Sequence, residues 1–264
     1  MTEIQLRHLV ADRMVEYLGC NELDGSHREI IDLYNSIRPL PRGYKMTYND
    51  PWCAAFPSAV AKELDLTDTI LPECGCDAMI SRYKAIGMWR EADDYSPQVG
   101  DLVMYDWQDD GRGDNTGSAD HVGFVYARSG NSMTIIEGNI SDSVDFRNLK
   151  ENSKNIRGYC TPNYAAKAKT MTAETGGKTD ASPDGAAKTT LTKVRPVLTF
   201  GTTGDDVGVL QALLELNSCS CGKHGLDKDF GNDTRAALNT FKAENGLVAD
   251  GVCDEETWKI LSIL

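Results

Sequence analysis

No run of apolar residues in this 264-residue chain is long enough to cross a bilayer. Its first residues, Met1-Thr2-Glu3-Ile4-Gln5-Leu6-Arg7-His8, lack the basic-then-apolar layout of a secretory signal. The expectation is a protein made and held in the cytoplasm, with no membrane insertion. Positive charge is scarce as well: 27 Lys and Arg face 40 Asp and Glu, for a formal net charge of −13. Without a basic stretch there is no counterion release to drive binding to nucleic acid, which is therefore excluded as an expected partner. Metal-binding spacing is also missing. Cys74-Gly75-Cys76 and Cys219-Ser220-Cys221, the latter near His224, have one intervening residue where zinc pairs have roughly two to four. The loop Asp106 to Asp120, with Asp109, Asp110 and Asp114, does not follow a calcium-loop pattern. No metal or cofactor is expected. Eight cysteines would suit a small disulfide-built secreted domain, but the length and the missing signal point to free thiols.

What is present is ordinary for a globular chain: 41% hydrophobic and 25% charged residues, enough for one large or two small domains. Leu6, Val10, Met14 and Leu18 recur at helical spacing with Gly19 as a stop, and His27 to Tyr34 forms a second amphipathic segment. His8 and His27 on these helices read as packing or surface residues. A turn at Asn49-Asp50-Pro51 leads through Trp52-Cys53 into an alanine-rich buried helix, Ala54 to Leu64, and Asp77 to Gly87 gives another. The pattern then changes to strands. Pro97 to Asp101 is a turn feeding Leu102-Val103-Met104-Tyr105, and His121 to Tyr126 and Ser132 to Asn139 are strands joined by a hairpin loop, Ala127 to Asn131. The predicted class is α+β.

Within this frame Cys53 stands at a helix start. Free backbone N–H groups and the positive end of the helix dipole there favour the thiolate, the form that attacks a carbonyl. On this stretch alone, a small buried cysteine filling space beside Trp52 is the alternative. If the hairpin is symmetric about Ser129, His121 falls opposite Glu137, where directly paired Cβ atoms lie about 4.5 to 5.5 Å apart. The carboxylate would then orient and charge-stabilise the imidazole, and Asn139, two residues on, would project from the same face. A histidine so held can take the proton of a nearby thiol. A solvent-facing His–Glu pair on an ordinary hairpin is the competing account. Trp52 beside the cysteine and Trp107 in the polar loop are the candidate substrate-contacting aromatics, with a lid over the core as the other role open to Trp107.

Asp50-Pro51-Trp52-Cys53-Ala54-Ala55-Phe56, Gly100-Asp101-Leu102-Val103, Asp120-His121-Val122-Gly123-Phe124-Val125 and Ile136-Glu137-Gly138-Asn139 together resemble the ordered signature of the CHAP domain. CHAP stands for cysteine, histidine-dependent amidohydrolase/peptidase. The resemblance covers about residues 1–164 and implies a papain-like fold that hydrolyses peptidoglycan. It implies Cys53 as nucleophile, His121 as base, Glu137 as the group orienting the histidine, and Asn139 as a further polar residue of the site. Some members bind calcium through alternating acidic and aromatic residues before the cysteine. Tyr44 to Trp52 supplies only Asp50, so calcium is not carried over.

Residues 165–193, rich in Ala, Thr, Lys, Gly and Asp, read as a flexible linker. From 194 to 264 apolar spacing gives three helices, Asp206 to Leu216, Asp233 to Glu244 and Asp254 to Ile263, with Asn232 or Asp233 as a fitting N-cap. This segment resembles the peptidoglycan-binding domain 1 family through Gly204-Asp205-Asp206-Val207, Leu210-Gln211, Phe230-Gly231, Phe241, Gly246-Leu247, Asp250-Gly251 and Thr257-Trp258. Lys242 and Asp254 depart from its usual glutamine and glycine. The two resemblances imply a wall hydrolase, an amidase or endopeptidase of the phage or prophage endolysin kind, whose partner is peptidoglycan and which reaches the wall after release. A wall-binding protein with a dead hydrolase fold, and a thiol transpeptidase or protease, are the alternatives.

Overall fold

The computed structural model describes residues 1–91, 95–109, 117–175 and 195–261. The chain divides into two units, Met1–Met171 and Thr172–Leu264. In the first unit α1 (Glu3–Val15), α2 (Arg28–Asn35), α3 (Ala55–Glu63) and α4 (Cys76–Ala85) come before the main strands, and α5 (Tyr164–Thr175) comes after them. The strands are β1 (Trp89–Arg90), β2 (Leu102–Tyr105), β3 (His121–Ser129), β4 (Ser132–Ile140), β5 (Ser143–Lys150) and β6 (Ile156–Cys160). They form one antiparallel sheet in the order β1-β6-β2-β3-β4-β5. Helices precede an antiparallel sheet, so the class is α+β, as the sequence predicts.

Local chemistry explains where these elements start and how they dock. Thr2 opens α1 with a capping box: its hydroxyl accepts from Gln5 N while the Gln5 side chain accepts from Thr2 N, worth about 1 kcal/mol. The stripe Leu6, Val10 and Met14 is fully buried. Asp101, also buried, ties α1 to the sheet by accepting from Arg7 Nη1 at 3.3 Å and Gln98 N at 2.8 Å. The preceding Gly100 has φ 97, and a Cβ there would lie 2.9 Å from the ring of Tyr164. Only glycine fits this turn, which lets Tyr164, at the start of α5, donate to Gly100 O at 3.1 Å. The Gly-Asp pair therefore fixes β2 between the first and last helices of the unit.

Two more glycines set the approach of the elements that carry Cys53, His121 and Glu137. A Cβ on Gly138 of β4 would stand 2.7 Å from Phe56 Cβ and 2.9 Å from Trp52 Cζ3, so the start of α3 rests directly on the β4 backbone. On β3, a Cβ at Gly123 would lie 2.8 Å from Glu137 Cγ and collide with Ile135. Its absence leaves room for the glutamate side chain to lean across the strand.

The hairpin register differs from the expectation. Gly130-Asn131 forms a two-residue turn, with Gly130 at φ 56, and Ser129 pairs with Ser132. A bulge between Val125 and Ala127 then shifts the pairing, and beyond it Phe124 faces Ile136. Continued one step, Gly123 is the residue across from Glu137, and His121 lies two positions further along β3. Because the shift is even, the two side chains keep a common face.

The second unit holds α6 (Asp205–Leu216), α7 (Asn232–Glu244) and α8 (Glu255–Leu261) around Val207, Leu210, Phe230, Leu238 and Trp258. Gln211 is buried at its centre, donating to Asp227, Asp229 O and Thr234 and accepting from Lys228 N. The N-cap of α7 is Gly231, without a side-chain bond, in place of the expected Asn232 or Asp233. Both departures from the family pattern have local work here. Lys242 Nζ donates to Asp250 at 2.6 Å and Val252 O at 2.7 Å, and Asp254 accepts from Thr257 N at 2.9 Å at the start of α8. The expected linker begins as helix, since α5 runs to Thr175. Residues 176–193 of it, residue 194 that opens the expected second domain, 110–116 of the acidic loop and the last residues of the third expected helix lie outside the described residues.

Candidate active site

Cys53 lies just ahead of α3, in the turn that Pro51 and Trp52 lead into, and is 7% exposed. His121 opens β3 and is 9% exposed; Glu137, on β4, is fully buried. His121 Nε2 meets Glu137 Oε2 at 3.0 Å, and with Nε2 so engaged Nδ1 is the ring nitrogen left for Cys53, which lies near enough for thiol and imidazole to shift each other's titration. Glu137 Oε1 in turn accepts from Tyr105 Oη at 2.6 Å and Arg147 Nε at 2.8 Å. A buried carboxylate would otherwise be costly; three donors stabilise its charge.

These contacts shift the titrations. Burial pulls the His121 imidazolium down, but the bonds to Cys53 and Glu137 and the charges of both outweigh it and raise the pKa from 6.5 to about 9. Cys53 moves the other way, well below the ordinary thiol value. A bond from the Cys76 thiol lowers it most, burial opposes, and the bond and charge of His121 with the Ala54 N–H add to the lowering. Glu137 is also lowered, since the bonds from His121 and Arg147 overcome its burial. These directions favour a thiolate beside an imidazolium steadied by a carboxylate, an arrangement that can supply an activated nucleophile.

The structure joins His121 to Glu137 by a diagonal contact in place of the direct pair that the hairpin symmetry predicts, with Cys53 beside the imidazole. Asn139 sits at φ 58, where the β4–β5 register breaks between Glu137 and Ile140, so simple alternation does not carry it to the face of Glu137. No hydrogen bond joins its side chain to those three residues. Trp52 corrects a second expectation: its ring is fully buried, donates from Nε1 to Glu22 at 3.0 Å and lies beneath Gly138, so it packs and cannot meet a substrate. Trp107 is 41% exposed, stacks on Tyr105 at 4.8 Å and stands 6.1 Å from His121. Three residues join the site to which the sequence reading gave no role there. Tyr105 and Arg147 hold Glu137, and the guanidinium also lies 5.2 Å over the Trp107 ring. Cys76, the first residue of α4, has its Sγ 3.8 Å from that of Cys53.

Beside the triad opens a cavity of about 260 Å³ whose walls include Tyr105, Trp107, Arg147, Lys154 and Asn155. Its lining carries two cations and no carboxylate, in contrast to the acidic chain around it.

Residues 43–139, which include Cys53, His121 and Glu137, match the CHAP domain family, and residues 203–261 match a family described as "Putative peptidoglycan binding domain". The chain carries a CHAP domain and a peptidoglycan-binding domain. It is a protein that acts on the cell wall, and CHAP domains are generally amidase or peptidase hydrolases. Among solved structures it is similar to a peptidoglycan-binding protein from Clostridioides difficile in complex with glutamine hydroxamate, at 16% identity and a TM-score of 0.26. That match covers 64% of this chain and 76% of the other. No curated protein matches. No helix among the described residues is long and apolar enough to cross a membrane.

Proposed function

We propose that this protein hydrolyses an amide bond in the peptide part of peptidoglycan, with Cys53 as nucleophile, His121 as acid and base, and Glu137 as the group that orients the histidine. The observation that carries the reading is the buried His121–Glu137 contact at 3.0 Å with the buried Cys53 close to the imidazole, and the lowered pKa of Cys53 supports it. Cys53 attacks the scissile carbonyl carbon, and backbone N–H groups at the start of α3 face the developing oxyanion. The His121 imidazolium then gives its proton to the leaving amine, which departs as the thioester forms. The imidazole, now neutral, takes a proton from water, and the hydroxide releases the acyl group and restores the thiolate. Arg147 and Tyr105 keep Glu137 anionic throughout.

The cavity bounded by Trp107, Arg147 and Lys154 favours a stem peptide, whose carboxylates complement its cations and whose backbone can lie along the indole. A wall-binding domain on the same chain suits an insoluble polymer, where tethering raises the local concentration of the hydrolase. The finer reading is an endolysin, stored in the cell that makes it and acting on the wall after release, as either an amidase or an endopeptidase.

Purified sacculi digested with the full chain test this directly. The expected result is release of new amine termini, whose identity by mass spectrometry names the bond, and none from Cys53→Ala, which still sediments with the sacculi. Equal release from Cys53→Ala would overturn the mechanism, and transfer of the acyl group to an added amine in preference to water would make the protein a transpeptidase.

A further inference from the structure

Cys76 is buried and lies against Cys53; beyond the bond that lowers the Cys53 pKa, no bond is made or broken at Cys76 in the hydrolytic cycle described above. Their sulfurs are 3.8 Å apart, at the start of α3 and the first residue of α4 respectively. A disulfide needs about 2 Å, so closing the gap is a movement of under 2 Å by two side chains at helix ends. Cys74, the near neighbour of Cys76 in sequence, is turned away to accept from Arg42 Nη2 at 3.1 Å. We propose that Cys53 and Cys76 form an oxidative modification site, in which a peroxide oxidises Cys53 and Cys76 closes a reversible disulfide onto it. The identity of Cys53 as the reactive thiolate rests on the reading above; the pairing with Cys76 rests on the geometry.

The chemistry balances with hydrogen peroxide as the oxidant. The Cys53 thiolate attacks one peroxide oxygen, the O–O bond breaks, and the leaving hydroxide takes the His121 proton to become water, leaving a sulfenic acid on Cys53. The Cys76 sulfur then attacks the Cys53 sulfur. The S–O bond breaks, hydroxide departs with the Cys76 proton as a second water, and the disulfide is formed. Two electrons have passed from the pair of sulfurs to peroxide. A dithiol reductant returns both thiols by exchange. In the disulfide state Cys53 is no longer a thiolate and cannot attack a carbonyl, so hydrolysis stops. The same bond shields the sulfur from the irreversible sulfinic stage, which Cys53 on its own would reach under continued oxidation.

The test treats the full chain with hydrogen peroxide, alkylates the remaining thiols and maps the cysteines by mass spectrometry. The expected product has lost the mass of two hydrogens and contains a peptide linked through Cys53 and Cys76, with hydrolysis lost and then restored by dithiothreitol. Cys74 and Cys76 share one tryptic segment, Glu63 to Arg82, so Cys76→Ser separates them. In that variant the link should vanish, and Cys53 should be trapped by dimedone and advance to a sulfinic acid that dithiothreitol does not reverse. Alkylated Cys76 in the oxidised wild type, or a Cys53 link that survives Cys76→Ser, would overturn the proposal. The linkage is read by mass, so a protein that forms the bond but never cleaves sacculi would sink the hydrolase reading alone.

Discussion

Glu137 has no solvent contact, and its charge is satisfied by three donors that each come from a different strand: His121 from β3, Tyr105 from β2 and Arg147 from β5. Its effect on the imidazole should be visible in the pH profile. Turnover needs Cys53 deprotonated and His121 protonated. Activity therefore rises with pH through the lowered Cys53 pKa, holds over a plateau, and falls as His121 loses its proton at about 9. Glu137→Gln removes the anion that stabilises the imidazolium. The alkaline limb should move down toward 6.5, the unshifted value, and kcat should drop by roughly 10²- to 10⁴-fold. Measured on a soluble stem-peptide substrate, an alkaline limb that stays near 9 in the variant would show that Glu137 does not set the imidazole. At this scale the sequence was legible where short-range rules apply, as at Cys53 before a helix. It hid Arg147 and Cys76, because their closeness to the triad depends on where β5 and α4 are laid down in space.

Elements meet here through glycine. The start of α3 can rest on β4 because position 138 has no side chain, and this contact sets how far Cys53 stands from the histidine on β3. Gly138→Ala would place a methyl group 2.7 Å from Phe56 Cβ, an atom fixed to the helix backbone that cannot swing aside. The helix must shift, at a cost of about 1–3 kcal/mol. The expected outcome is a fall in Tm of several degrees together with slower alkylation of Cys53 at neutral pH, as the thiolate loses its imidazolium. An unchanged Tm and alkylation rate would mean that the helix approaches β4 by some other support. The elements that carry the triad were readable from periodicity: α3 and β2 to β4 lie where the apolar patterns put them. β5 was not, because Ser143-Val144-Asp145-Phe146-Arg147-Asn148-Leu149-Lys150 is an edge strand with polar residues on its open face. The register error came from centring the loop on Ser129. The Gly130-Asn131 pair was the better guide to a two-residue turn, and the bulge that follows leaves no mark in composition.

At the level of the whole chain, each unit encloses its own buried residues, with Val103, Val125 and Ile135 in the first and Leu210, Leu238 and Phe241 in the second. Chemistry and wall attachment should therefore separate. The triad, the cavity and the glycine contacts all belong to the first unit, so a chain ending after Thr175 keeps every group assigned to hydrolysis. On a soluble stem peptide its kcat/KM should stay within about twofold of the full protein, since no wall contact is involved. On intact sacculi at low enzyme concentration the loss of tethering should slow release of amine termini by roughly 10- to 100-fold, and raising the enzyme concentration should recover most of it. A truncated chain equally active on both substrates would remove the second unit from the reaction on the wall. One equally impaired on both would mean that the first unit needs the second for its fold, which circular dichroism of the truncated chain would reveal independently of activity.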